Sequence, residues 1–172
     1  MLVKTNAIVL RTIKYGDAKV IADLLTEHFG RLSFACNMPR TNKAKIKRQL
    51  FQPLTLLEIE FDHRPNIQLQ RLRDARMPFP FASIPYNETK LAIALFVAEF
   101  LCYATRDEQQ NEPLYKYVET SVRWLDGAQQ AFANFHLAFM IRLSRFLGFF
   151  PNLENFSRGC LFDLRSGCFV TA

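Results

Sequence analysis

The sequence is poor in the residues that build common catalytic sites. Only six glycines occur among 172 residues, and no two of them have the Gly-x-Gly-x-x-Gly spacing of a phosphate-binding loop. The three histidines lie far apart, with no carboxylate or cysteine at motif spacing. Glu58, Glu60 and Asp62 alternate along one predicted strand, where a solvated outer face accounts for them. We therefore expect a protein that is not an enzyme.

Cysteines and long apolar runs are also scarce. The four cysteines lack the dense spacing of a disulfide framework, so we expect reduced thiols in a cytosolic protein. Cys160 and Cys168 have no close second pair, which a structural zinc site needs. The longest charge-free stretch, residues 127–141, is shorter than the roughly 20 apolar residues of a membrane span, and no secretory signal opens the sequence. We expect no metal, no cofactor and no membrane partner.

Acidic residues are under-represented in the first half of the chain. The whole sequence carries a net charge of +6. Residues 1–80 hold 14 Lys and Arg against 7 Asp and Glu, a net of +7, whereas residues 81–172 hold 8 against 9, a net of −1. This asymmetry favours a nucleic acid or another anionic partner for the first half, and a merely solvated basic face is the alternative.

The first half of the chain has the pattern of short β-strands. Apolar and β-branched runs are separated by turn residues such as Gly16, Gly30 and Pro65, and the later runs alternate between apolar and polar residues. Five such runs, with no long helix among them, predict a small five-stranded β-barrel of the OB-fold type over residues 1–78. The runs lie around residues 7–10, 20–29, 31–36 and 57–62, and the fifth begins with the alternating Ile67 and Leu69.

The second half has a helical pattern, so the chain as a whole is predicted to be an α+β protein. Three prolines in residues 77–85 lead us to interpret that stretch as a linker belonging to neither architecture. An α-helical domain is predicted over residues 79–172, with an irregular C-terminal segment and a possible strand pair around residues 165–167. Asn87 is suited to cap the first helix, Pro113 to open the second, and Gly127 to close it. The expected apolar stripes are Leu91, Ala94, Leu95 and Ala98, then Leu114, Tyr117, Val118, Ser121, Trp124 and Leu125, then Phe132, Phe135, Phe139, Met140, Leu143, Phe146 and Leu147.

A short basic segment is the strongest functional feature. Cations that neutralise phosphates release condensed counterions, which provides sequence-independent affinity for nucleic acid. The alternative is a solvated connector, or a turn whose Leu50 and Phe51 pack inward. A location between the third and fourth strands of an OB barrel favours nucleic acid, because such barrels bind single strands with basic grooves and stacking aromatic residues. The five cations of residues 40–48 are Arg40, Lys43, Lys45, Lys47 and Arg48.

Other residues of the first half extend this candidate site. Tyr15, beside Gly16 in a predicted turn, is a candidate for stacking on a base, whereas Phe34 alternates with Leu32 and is expected in the core. The further candidate cations for binding nucleic acid are Arg11, Arg31, Arg71 and Arg73, with Lys14, Lys19 and Arg76 nearby.

Several motifs follow one another in a characteristic order. They are Ala7-Ile8-Val9-Leu10-Arg11-Thr12, Tyr15-Gly16-Asp17, Leu24-Leu25-Thr26, Phe29-Gly30-Arg31-Leu32, the basic residues 43–48 before Gln52-Pro53, and Leu147-Gly148 before Phe150-Pro151-Asn152-Leu153. In order and spacing, over nearly the whole chain, these motifs resemble the bacterial RecO recombination mediator proteins.

The resemblance implies a function in DNA repair and homologous recombination. A protein of this family is expected to bind single-stranded DNA, and also duplex DNA, to anneal complementary strands, and to help load recombinase onto coated single strands. The implied partners are RecR and the acidic tail of the single-stranded-DNA-binding protein. We predict that Arg142 and Arg145 bind this acidic tail. The implied location is the bacterial cytoplasm, in association with the nucleoid.

Two departures from the family pattern are visible. Some members carry a four-cysteine zinc module after the helices, but Phe156 and Gly159 stand where its first cysteine pair belongs. Members also continue with more helix, so we expect this chain to represent part of a longer protein. From the residues alone two other functions stay open, namely a protein-interaction adaptor whose basic face docks an acidic protein, and an RNA-binding OB-fold protein.

Overall fold

A computed structural model of the chain describes residues 1–16, 19–37, 48–106, 109–153 and 156–171. Its first half contains a closed barrel of five strands: β1 (Leu2–Lys14), β2 (Lys19–Thr26), β3 (Gly30–Asn37), β4 (Leu56–Asp62) and β5 (Leu69–Arg76). The order around the barrel is β1-β2-β3-β5-β4, and β4 pairs back to β1. Only the pairing of β3 with β5 is parallel among these strands. The predicted OB-type barrel is confirmed.

Alternating apolar residues fill the interior of this barrel. Leu57, Ile59 and Phe61 of β4 are at most 1% exposed, as the period-2 pattern predicted. Phe34 of β3 packs edge to face against Phe61, with ring centroids 4.9 Å apart. Phe34 is therefore a core residue, as expected. After β3, a short 3-10 turn at Arg48–Phe51 places Phe51 in the same core.

A β-bulge decides which residues of β1 face outward. Ala7 and Val9 lie in the barrel core, and strict alternation from them would turn Arg11 inward as well. The pairing of β1 with β2 shifts between Val9 and Arg11, so Leu10 is an extra residue in the strand. Because of this extra residue, Arg11 and Ile13 face outward, and Ile13 is 45% exposed.

The residues of the fifth strand that face the barrel interior are not those that the sequence pattern predicts. Ile67 and Leu69 alternate with glutamines, yet both are more than 40% exposed, whereas Gln70 and Leu72 are buried. The Gln70 side chain is satisfied inside the barrel because its amide donates to the carbonyl of Arg64 at 2.8 Å and its oxygen accepts from the Arg64 N–H at 3.1 Å. Hydrogen bonding to the preceding turn thus lets a polar residue take the inward position.

Three helices and a hairpin make up the rest of the described chain: α1 (Glu88–Ala104), α2 (Glu112–Gly127), α3 (Phe135–Phe146), β6 (Leu161–Asp163) and β7 (Cys168–Val170). The side chain of Asn87 accepts from the Lys90 N–H at 3.0 Å, which confirms it as the N-cap of α1. Pro113 lies in the first turn of α2, and Gly127 is the last residue of that helix, as predicted. The expected strand pair around residues 165–167 is present as the β6–β7 hairpin.

The buried stripes of the first two helices differ in part from the prediction. Leu91 and Leu95 are 41% and 48% exposed, and α1 instead buries Ile93, Val97 and Leu101 beside the expected Ala94 and Ala98. This helix is apolar on nearly all sides, so its sequence does not reveal which side faces the core. In α2, Tyr115 and Val122 are buried in place of Tyr117, Ser121 and Trp124, and Trp124 is 51% exposed.

The interpretation of residues 77–85 as a linker outside both architectures is wrong. Phe79 and Phe81 pack against the core of the helices. Three consecutive backbone N–H groups, those of residues 82–84, donate to the carboxylate of Asp126 in α2, each at 2.9 Å. Proline removes donors from this stretch, and this one side chain accepts from three of the donors that remain. The segment is thus part of the helical body, and the division at residues 78 and 79 stays a prediction.

The barrel and the helices share a continuous apolar interface. Ile8 and Leu10 of β1 alternate with the barrel-core residues and lie, together with Leu25 of β2, in the same buried cluster as the helices. Leu54, which precedes β4, is fully buried there despite a left-handed φ of 62°. The helices therefore cover one end of the outer surface of β1 and β2, and the opposite end stays open.

Candidate nucleic-acid interface

The open end of the barrel carries a row of outward residues that crosses four strands. Ile13 of β1 pairs with Ile21 of β2, Ile21 with Ala35 of β3, and Ala35 with Arg71 of β5. Since residues paired across a sheet project from the same face, these side chains form an apolar strip that ends at the guanidinium group of Arg71. We call the surface built on this strip the open barrel face.

Further cations flank the strip at its outer edge. Lys19 pairs with Asn37, and the N–H of Tyr15 donates to the carbonyl of Lys19 at 2.9 Å. Lys19, Asn37, Arg71 and Arg73 line one shallow depression of about 540 Å³. The predicted candidates Arg71 and Arg73 are thus brought together, and the strand register adds Lys19 and Asn37 to them.

The side chains of the open barrel face are accessible. Tyr15 is 64% exposed and projects from the turn between β1 and β2. Within the described part of the chain, Lys19 and Arg71 form no ion pair, whereas the Nε of Arg73 donates to Asp62 at 2.8 Å. The face therefore presents free positive charge beside an exposed aromatic ring.

The basic segment of the sequence lies almost entirely outside the described residues. Arg40, Lys43, Lys45 and Lys47 fall there, and so does the side chain of Arg48. The described chain leaves β3 at Asn37, which lines the depression of the open barrel face, and is described again from the 3-10 turn at Arg48–Phe51. The assignment of these five cations to nucleic acid stays a prediction.

Arg31 has a different environment from the other candidates. Its side chain is only 11% exposed, and it donates to the carboxylate of Asp23 at 3.0 Å and to the carbonyl of Cys102 in α1 at 2.6 Å. Arg11 donates to the same carboxylate through Nε at 2.6 Å but is 48% exposed. Arg31 therefore holds the barrel to α1, while Arg11 marks the border between that contact and the open barrel face.

The charge of Asp23 is stabilised in this contact. Burial alone would raise the pKa of Asp23, but hydrogen bonds from Ser33, Arg11 and Arg31 outweigh it and hold the pKa below its usual range. Asp23 is 3% exposed and stays ionised between the two guanidinium groups. The contact thus has a net positive charge, which leaves Arg11 able to attract an anion.

A second concave surface lies between α2 and α3. This groove has a volume of about 560 Å³ and contains a stack of aromatic rings, with Trp124 and Phe135 parallel at a centroid distance of 5.7 Å. Arg142 lines the groove, whereas Arg145 lies over the ring of Phe150 at 4.1 Å. The structure therefore brings only the first of the two predicted partner-binding arginines to this groove.

Two further observations concern membranes and metals. Among the described residues, no helix is long and apolar enough to cross a membrane. Within the same residues, no three side chains of the metal-binding types come together. The sulfur atoms of Cys160 and Cys168 instead contact the Ser157 N–H at 3.4 Å and the Ser166 hydroxyl at 2.9 Å.

A closed OB-type barrel with an open basic face, joined to a helical body, places the chain in the class of OB-fold proteins. Comparisons with known proteins make this class more specific. Residues 1–81 match the family model described as Recombination protein O N terminal, and residues 87–160 match Recombination protein O C terminal. The chain belongs to the RecO family of DNA repair proteins, which confirms the resemblance seen in the sequence.

Individual relatives carry the same name. The DNA repair protein RecO of Bacteroides fragilis is 50% identical over 171 residues, which cover 99% of this chain and 71% of that protein. The DNA repair protein RecO of Phocaeicola vulgatus is 47% identical over 171 residues, which cover 99% of this chain and 71% of that protein. That of Flavobacterium psychrophilum is 35% identical over 170 residues, 98% of this chain and 71% of the relative.

Proposed function

We propose that the chain binds single-stranded DNA on the open barrel face, promotes annealing of complementary strands, and assists recombinase loading onto coated single strands. The observation that carries this proposal is the alignment of Ile13, Ile21, Ala35 and Arg71 across four strands beside Lys19, Tyr15 and Arg73. Such a face offers cations to phosphates, and an apolar strip and an aromatic ring to bases. Duplex DNA would meet the same cations through its phosphates.

The triple variant Lys19→Ala, Arg71→Ala and Arg73→Ala tests this surface. Each phosphate contact on a single strand contributes about 0.7 to the slope of log K against log salt, so losing three contacts should flatten the slope by about 2. We also expect the affinity at low salt to fall by roughly tenfold or more. Fluorescence anisotropy with labelled oligo(dT) at several salt concentrations measures both quantities.

A matched variant removes the same number of charges elsewhere. Lys4, Arg158 and Arg165 are exposed and lie away from the open barrel face, so replacing them with Ala lowers the net charge equally. This variant should keep the slope of the unaltered protein. If the two triple variants behave alike, binding follows net charge and not the open barrel face.

Two assays separate the proposed function from its alternatives. A strand-annealing assay distinguishes a mediator, which accelerates annealing, from an adaptor that docks an acidic protein and leaves annealing unchanged. Competition between DNA and RNA oligomers of matched sequence distinguishes a DNA-binding from an RNA-binding OB protein, because phosphate contacts are common to both. Equal competition by RNA would contradict a DNA-specific function.

We further propose RecR and the acidic tail of the single-stranded-DNA-binding protein as partners, and we assign the tail to the groove between α2 and α3. The groove combines stacked aromatic rings with the cation of Arg142, which suits a peptide with acidic and apolar side chains. No ion pair of Arg142 occurs within the described part of the chain.

The variant Arg142→Ala tests the assignment of the groove. Loss of one charge-assisted contact should weaken binding of a synthetic acidic tail peptide by roughly tenfold. Arg145→Ala is the matched control, because Arg145 lies on the same helix but covers Phe150. Isothermal titration calorimetry measures both, and equal affinities for the two variants would contradict the assignment.

A further inference from the structure

A second groove lies where the barrel meets α1, at the border of the open barrel face. Its volume is about 380 Å³. One wall of the groove is formed by the barrel and the other by the outer side of α1. Arg11 lines the groove and is the next outward-facing residue of β1 before Ile13, so the groove adjoins the open barrel face. The principal lining residues are Arg11 and Thr12 of β1, Pro53 before β4, and Leu95, Glu99 and Tyr103 of α1.

The contact between the barrel and α1 fixes Tyr103 beside Arg11. The carbonyl of Cys102, the residue before Tyr103, accepts from Arg31 at 2.6 Å, and Arg31 and Arg11 both donate to Asp23. The end of α1 is further held by the buried hydroxyl of Thr105, which donates to the carbonyl of Leu101 at 2.7 Å. The backbone at Tyr103 is therefore anchored, while its side chain is 68% exposed.

We propose that single-stranded DNA bound on the open barrel face continues across Arg11 into this groove and stacks a base on the ring of Tyr103. The inference rests on the proposed function, and it extends the DNA interface from the barrel to the helical body. An exposed aromatic ring held next to a cation, at the edge of a basic face, is the combination with which OB-fold proteins bind successive nucleotides.

The charges of the groove determine how a nucleotide would lie in it. Arg11 stands on the barrel wall and Glu99 on the helix wall, so the phosphate lies toward Arg11 and the base toward α1. The carboxyl end of a helix disfavours anions, and the donation from Arg31 satisfies one of the carbonyls exposed there. Because the Tyr103 side chain carries no charge, its ring contributes to affinity by stacking and not by counterion release.

The salt dependence of binding distinguishes stacking on Tyr103 from a phosphate contact. Tyr103→Ala should weaken binding of a long oligo(dT) by about tenfold but leave the slope of log K against log salt unchanged, because no phosphate contact is lost. Tyr103→Phe should restore the affinity, since the ring and not the hydroxyl stacks. Tyr86→Ala is the matched control, because Tyr86 is 83% exposed and lies before α1, away from the groove.

A fluorescence measurement reports on the same site directly. Trp124 is the single tryptophan of the chain, so the double variant Trp124→Phe and Tyr103→Trp carries its only indole at the groove. Oligo(dT) should quench this indole on binding. The inference is overturned if Tyr103→Ala binds as tightly as the unaltered protein, or if the indole is not quenched, while the Lys19, Arg71 and Arg73 triple variant loses affinity. If the unaltered protein does not bind oligo(dT) at all, the proposed function fails, and the inference fails with it.

Discussion

Replacing Lys43, Lys45, Lys47 and Arg48 with alanine is expected to weaken binding of single-stranded DNA for all sequences alike. If four to six phosphates are neutralised by the unaltered protein, log K falls with log salt at a slope of roughly −3 to −4. Removing four cations at about 0.7 per contact should flatten this slope to about −1. Anisotropy titrations of several oligomers between about 50 and 200 mM salt measure the effect.

A charge-preserving variant provides the control for this experiment. Replacing Lys43, Lys45 and Lys47 with arginine keeps every positive charge and should keep the slope. The basic segment follows β3, whose last residue, Asn37, lines the open barrel face. An unchanged slope in the alanine variant would mean that the segment makes no contact with the phosphates of DNA.

Asp126→Ala is expected to destabilise the helical body by about 2 to 4 kcal/mol, because one buried and two partly buried donors lose a charged acceptor. The substitution leaves three backbone N–H groups, those of Ala82, Ser83 and the buried Ile84, without their acceptor. The Ser83 hydroxyl, which contacts this carboxylate at 3.4 Å, also accepts from the Nζ of the buried Lys90 at 2.6 Å, so the substitution disturbs the partner of a buried charge as well. Urea unfolding followed by circular dichroism measures the loss.

The same carboxylate makes the stability depend on pH. Burial alone would raise the pKa of Asp126, but the hydrogen bonds from residues 82–84 outweigh it and hold the pKa below its usual 3.8. A lowered pKa in the folded state means that the contribution is complete above about pH 5 and is lost as the pH falls through the folded pKa. Glu119→Gln, which changes a partly exposed carboxylate paired with the exposed Arg123, should leave the stability within about 1 kcal/mol. Equal stabilities of the two variants would contradict the role of Asp126.

The sequence was sufficient to predict the OB barrel, the caps of the helices and the barrel core. Period-2 alternation at Leu57, Ile59 and Phe61 depends only on local strand geometry, and it placed these residues correctly. The capping role of Asn87 is likewise a local hydrogen bond. The family was also predictable, because the order of short motifs is a property of the sequence itself.

Local patterns were insufficient where a residue has two possible environments. The proline-rich segment was misinterpreted because its N–H acceptor, Asp126, lies more than 40 residues away in the chain. The sequence predicts Arg31 as a nucleic-acid contact, but it does not reveal that the carbonyl of Cys102 and the carboxylate of Asp23 accept hydrogen bonds from its guanidinium group. The predicted apolar stripe of α1 is wrong in part, because apolar residues occur on nearly every side of that helix.

The sequence by itself determined the fold class, the family and the basic character of the first half, since each of these follows from composition, period or motif order. Only the tertiary structure decided which cations act together. The bulge at Leu10 turns Arg11 outward, strand pairing aligns Ile13, Ile21, Ala35 and Arg71, and the contact through Arg31 brings Tyr103 to the edge of that row. These relations depend on register and on contacts between distant segments, which no local pattern of residues encodes.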